Sequence, residues 1–174
     1  MTTKRAQLVQ ECRRLSESCL YTSTSLFIWL RCLRIIKACF IALPLLLGSI
    51  ATWEILTASD LQAIKLFLAA AAFLAGLLPS IYSALKFDDY LSQCVQLAGE
   101  YKNLQDRFRF AAVVSSKNTV PEFEQQVQTF IDRLEQARSP SFTAPEWCFR
   151  SAQAKIQKGD YYFDVDQENT DDDS

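Results

Sequence analysis

The feature that most constrains this chain is a run of twenty residues, Leu66 to Leu85, without one charged side chain. As an α-helix such a run rises about 30 Å, the thickness of a bilayer's hydrocarbon core. A second run precedes it. From Ala38 to Trp53 no residue is charged, and the apolar character extends to Ile35 and Leu56, broken only by Lys37 and Glu54. Both of these side chains are long enough to snorkel to an interface. Whole-chain composition hides the two runs, because 49% hydrophobic and 22% charged is an ordinary balance for a soluble protein. The charges have been moved to the flanks. A buried hairpin in a soluble protein would use apolar runs of roughly 10 to 14 residues and enough chain to wrap them, which a chain of 174 residues hardly supplies. The sequence therefore predicts two transmembrane helices, 38–57 and 65–85, joined by an external loop, 58–64.

Orientation follows from the basic residues next to the spans. Arg31, Arg34 and Lys37 precede the first, Lys86 and Lys102 follow the second, and the connection offers only Lys65. Both termini are expected on the cytoplasmic side, with Trp53 and Tyr82 near opposite interfaces. Ser59 or Asp60 is available to cap the second helix. The N-terminus has no apolar stretch and cleavage site at signal-peptide distance, so the first span reads as a retained anchor.

The arms that flank the spans, 1–37 and 86–116, carry a heptad pattern. Leu8, Cys12, Leu15, Cys19, Thr22, Leu26, Trp29 and Leu33 alternate in steps of four and three, as do Phe87, Tyr90, Cys94, Leu97, Tyr101, Leu104, Phe108 and Ala111. In an antiparallel pair, facing residues have numbers that add to a constant. Leu33 with Phe87, Leu26 with Cys94, Cys19 with Tyr101 and Cys12 with Phe108 all add to 120, which places the turn at residue 60, inside the loop. The expectation is two unbroken helices of about 80 Å, a transmembrane hairpin that continues into a cytoplasmic antiparallel coiled-coil stalk. Two amphipathic arms docking on something else is the alternative.

Thr119-Val120-Pro121-Glu122 and Thr143-Ala144-Pro145-Glu146 each read as a helix start, with Thr as the cap, Pro in the first turn and Glu completing a capping box. The first helix continues through Phe123, Val127, Phe130 and Leu134, and the second ends at Gly159. These two short C-terminal helices occupy 117–166, and 167–174 reads as a disordered acidic tail. The fold class is thus an all-α membrane protein.

Chemistry is nearly absent from the pattern. There is no histidine, and the net charge is −2 with no basic stripe, which argues against nucleic-acid binding. The six cysteines contain no Cys-x-x-Cys pair and read as reduced, buried small hydrophobes. No catalytic, cofactor-binding or metal site is expected, and Asp88 with Asp89 reads as a solvated face.

What the spans do carry is a stripe. Ala72, Gly76, Ser80 and Ala84 fall at four-residue steps, as do Pro44, Gly48 and Thr52 in the first span. Small residues so spaced let membrane helices approach closely, within one hairpin or between copies. The constant of 120 places Gly48 opposite Ala72, which favours closure of the hairpin for part of the stripe. Ser49, Thr52, Ser80 and Ser83 are candidate pore-lining hydroxyls, although hydroxyls also bond back to their own helix.

Two spans with charged helical arms, followed by Pro145-Glu146-Trp147-Cys148-Phe149 and the ending Gly159-Asp160-Tyr161-Tyr162-Phe163-Asp164-Val165-Asp166, resemble the SLATT family of two-transmembrane proteins of bacterial conflict systems. The resemblance covers almost the whole chain and includes no catalytic motif. It implies a membrane effector in the bacterial inner membrane, a homo-oligomer that forms a pore and arrests or kills an infected cell. It also implies a nucleotide-second-messenger synthase or nucleotide sensor encoded nearby. A non-catalytic anchor or scaffold presenting the cytoplasmic helices to a soluble partner is the alternative.

Overall fold

The structure, a computed structural model, describes residues 2–57, 62–114, 119–139 and 143–159. All its regular elements are helical: α1 (Thr2–Thr57), α2 (Gln62–Ala84), α3 (Phe87–Val113), α4 (Val120–Arg138) and α5 (Glu146–Gln157). No strand occurs among the described residues. Two segments, Thr3–Ile50 and Leu66–Ala84, are long and apolar enough to cross a membrane. Residues 58–61 of the expected external loop, including the cap candidates Ser59 and Asp60, and the expected acidic tail 167–174 lie outside the described residues.

The chain divides into two compact units, one of Met1–Trp29 with Cys94–Ser174 and one of Leu30–Gln93. The first has a closed apolar core. Cys12, Leu15, Cys19 and Leu26 of α1 are buried, as are Cys94, Ala98, Tyr101, Leu104 and Phe108 of α3. Helix α4 contributes Phe123, Val127, Phe130 and Leu134, the stripe its sequence predicts, and α5 adds Cys148 and Ala152. Phe108 meets Phe130 edge-on with ring centroids 5.8 Å apart, the geometry that aromatic quadrupoles favour. Arg107 lies over the same Phe130 ring. Farther along, Glu100 pairs with Arg133 at 2.7 Å, so α3 and α4 run antiparallel. Between α1 and α3, the Ser16 hydroxyl donates to the Gln105 carbonyl at 3.0 Å.

Residues 23 to 26 of α1 depart from a two-helix seam. Ser23, Thr24, Ser25 and Leu26 are all buried. Successive helical residues point about 100° apart, so four in a row cover nearly the full circumference, and α1 is enclosed there on every side. Helix α5 supplies part of that enclosure, through Tyr21 against Phe149 and Trp29 against Trp147, each pair 6.1 Å between ring centroids. Two of the hydroxyls are satisfied locally: Ser23 donates to the Leu20 carbonyl and Ser25 to that of Thr22. Trp29, expected in the seam, is only half-buried.

The helix starts also differ from expectation. Thr119 is the N-cap of α4, but its hydroxyl donates to the Glu122 carboxylate at 2.6 Å and makes no bond to the backbone. The N-cap of α5 is Pro145, not Thr143, and no side chain caps it. Cys148 N–H reaches the Pro145 carbonyl instead, a tight first turn that takes over one orphan donor.

In the second unit the expectation of an unbroken second helix fails at Leu85–Lys86. Lys86 adopts φ 46°, the left-handed conformation, and separates α2 from α3. Its N–H closes a short bond to the Ser83 carbonyl, while its own carbonyl accepts the Tyr90 N–H. One non-glycine residue thus ends one helix and begins the next. Pro44 and Pro79 lie inside α1 and α2, each removing one ladder bond.

Candidate functional site

The second unit contains the residues that the sequence singles out for packing and assembly. Along α2 the covered face consists of Leu68, Ala71, Ala75, Leu78 and Tyr82, at steps of three and four. Ala71 is buried and the others are half-buried. The small-residue stripe lies beside this face, not on it: Ala72, Gly76, Ser80 and Ala84 are all exposed. A Cβ placed on Gly76 or on Gly48 would meet nothing within 4 Å. The expected closure of Gly48 on Ala72 therefore does not occur in the chain. Pro44 and Gly48 are half-buried on α1. For Thr52 only the backbone is described.

The hydroxyls are engaged with their own helices. Ser49 donates to the Leu45 carbonyl at 2.8 Å, and Ser80 to that of Gly76 at 3.5 Å. Ser83 is exposed, and its carbonyl accepts the Lys86 N–H. A hydroxyl whose proton is committed still offers its oxygen lone pairs, so these positions remain suited to a polar stripe.

One cluster in this unit was not legible as a unit in the sequence. Lys37 Nζ and Tyr82 Oη both donate to Asp88 Oδ1, each at 2.7 Å. Phe40, Tyr82 and Phe87 pack around them with ring centroids 5.4 to 6.3 Å apart. The ring of Phe87 meets those of Phe40 and Tyr82. The hydrogen bond to Asp88 holds the Lys37 ammonium above its ordinary range. The bonds from Lys37 and then Tyr82 hold the Asp88 carboxyl below its own. Asp88 is thus paired, where the sequence suggested only a solvated carboxylate. The signal that could have found it is a cation, Lys37, at the base of one span and an acidic pair, Asp88-Asp89, at the base of the other.

Of the remaining stalk-seam positions, Leu15, Cys19, Leu26, Leu33, Cys94, Tyr101 and Phe108 are buried. Burial raises the thiols of Cys12, Cys19 and Cys94 to about 11, which leaves them protonated and unreactive at neutral pH. Cys32 is half-buried and Cys39 exposed, against the expectation that all six cysteines are buried. Both lie where α1 turns apolar faces outward. No group of three or more metal-ligating side chains occurs among the described residues.

No family model, curated protein or solved structure matches this chain.

Proposed function

We propose that this chain is a membrane protein that acts by assembly, its two spans crossing a bilayer as a hairpin and copies meeting along Ala72, Gly76, Ser80 and Ala84 to form a pore. The observation that carries this reading is the exposed small-residue face of α2, with open space above Gly76, beside a covered face that already contains Ala71. A helix partnered on one face and left small and uncovered on the next is suited to a second close approach. Both termini and the antiparallel stalk lie in the cytoplasm, in accord with the basic residues around the spans. The biological role is that of a bacterial anti-phage effector that depolarises the inner membrane on a signal from a neighbouring nucleotide-second-messenger synthase or sensor. The reading as an anchor or scaffold draws on the closed core of the first unit, which gives a soluble partner a firm body to bind.

Inducible expression in bacteria with a membrane-potential dye separates the two. The parent is expected to depolarise cells. Gly76→Leu, whose side chain enters open space within a single chain, should insert and accumulate normally but neither cross-link as an oligomer nor depolarise. A silent parent would leave the anchor reading. A Gly76→Leu variant as active as the parent would remove α2's stripe from the assembly surface.

A further inference from the structure

The first unit contains a cavity of about 300 Å³ lined by α1, α3, the end of α4 and the start of α5. That volume is at the small end of the range for ligand sites. Its walls are mostly apolar, with Leu26, Ala137, Ala144 and Phe149 prominent. One formal charge lines it, the guanidinium of Arg138, and no carboxylate does so among the described residues. No carboxylate among the described residues forms a salt bridge with Arg138 either. The Tyr101 side chain lines the cavity with it. Of the hydroxyls in the wall, that of Thr22 donates to the Ser18 carbonyl and that of Ser25 to the Thr22 carbonyl, which leaves those of Tyr101 and Thr143 as the neutral donors lining the cavity. Any negative group in the cavity therefore has one charged partner, and any apolar group has Leu26 and Phe149.

We propose that this cavity binds a small organic monocarboxylate, its carboxylate on Arg138 and its apolar or aromatic body between Leu26 and Phe149. The charge argument selects a monoanion, because a single guanidinium balances one charge and its planar fork matches the two oxygens of a carboxylate. The size argument selects a short body, about that of one ring. The site is built from parts far apart in sequence, Thr22, Ser25 and Leu26 with Arg138, Ala144 and Phe149, so occupancy ties α5 to α1 and stabilises their packing by mass action. It stands independently of whether the spans form a pore.

The test uses the purified full chain in detergent, with calorimetric titration and thermal unfolding as readouts and three compounds: benzoate, acetate and benzyl alcohol. Benzoate is expected to bind with a Kd of about 1 mM or tighter and to raise the unfolding temperature saturably. Acetate supplies only the head and benzyl alcohol only the body, and each should bind at least about tenfold more weakly. Arg138→Gln should lower benzoate affinity by about tenfold or more while leaving the weak benzyl alcohol binding in place. Ala144→Phe, which fills the cavity, should abolish both. Partition into detergent is common to all three proteins and cancels in the comparison. Arg138 is exposed, so the Gln variant keeps the test decisive even if Ala144→Phe unfolds. Absence of saturable benzoate binding, acetate binding as tightly as benzoate, or an Arg138→Gln variant that binds benzoate like the parent would each overturn the proposal.

Discussion

The two units are built from similar residues placed in opposite ways. In the first, Phe108, Phe123, Leu104 and Leu134 are enclosed completely, and the helices meet through large side chains on facing stripes. In the second, Leu45, Leu66 and Phe73 are 68%, 75% and 69% exposed, and what lies between the helices is mostly half-buried. Enclosure of apolar side chains drives folding only where the alternative is water. Next to lipid, an outward Leu costs nothing, and helix association must come from close approach and polar contacts. The contrast thus separates a body that folds by burying its core from a pair of helices long and apolar enough to cross a membrane.

The largest expected effect tests this contrast with one residue type. Phe108→Ala removes a ring that is 0% exposed and packed edge-on against Phe130, which should cost about 3–5 kcal/mol. Phe73→Ala removes a ring of the same size that is 69% exposed and should change stability by no more than about 0.5 kcal/mol. Denaturant unfolding in mild detergent, followed by far-UV circular dichroism, measures both. Equal losses would mean that the second unit has a core that its exposure conceals.

A smaller effect belongs to the junction of α2 and α3. Lys86 holds φ 46° without being glycine, a conformation that costs an L-residue roughly 1 kcal/mol. Lys86→Gly should therefore stabilise the chain by up to about 1 kcal/mol, and Lys86→Val should destabilise it. Lys86→Gln controls for the lost charge, since it removes the ammonium without the left-handed tolerance of Gly or Asn. A gain with Gln as large as with Gly would point to the charge and not the backbone. Loss of stability with Gly would show that Lys86 makes contacts that outweigh its strain.

The junction also shows what could be read in advance. Length, absence of charge and heptad spacing rest on local periodicity, so the two apolar segments, the stripe Phe123–Val127–Phe130–Leu134 and most buried positions of the arms were legible. The break at Lys86 was not, because no Gly or Asn marks it and Leu85-Lys86 looks like any helical dipeptide. The buried Ser23-Thr24-Ser25 run escaped for a related reason. Small hydroxyl residues carry no apolar signal, and what encloses them, α5, comes more than a hundred residues later. The stripe on α2 lies beside the covered face and not on it, which the spacing along one helix cannot foretell, since it does not say which face a neighbour covers. The cavity at Arg138 left no trace, because its walls come from four helices and only a fold brings them together.

The smallest effect concerns the polar cluster at the end of the second unit, where Asp88 accepts from both Lys37 and Tyr82. The pair is solvent-exposed and screened, so it should contribute little to unfolding stability. Its signature is a titration midpoint. The folded Asp88 carboxyl is held below its ordinary value by the Lys37 bond first and the Tyr82 bond second. Whatever it contributes is thus present above the unfolded value of about 3.9 and is lost as the pH falls through the lower folded value. Lys37 is raised by the same bond, so its contribution is complete below about pH 10.4 and is lost as the pH rises through the higher folded value. Side-chain carbon NMR of Asp88 in lipid nanodiscs should give a midpoint below the ordinary carboxylate range, and Lys37→Gln should bring it back up. Tyr82→Phe, which removes only the second donor, should produce the smaller return. An ordinary midpoint in the parent, or one unmoved by Lys37→Gln, would mean that the cluster does not hold α1 to the start of α3, and the second unit would then lack its one described inter-helix ion pair.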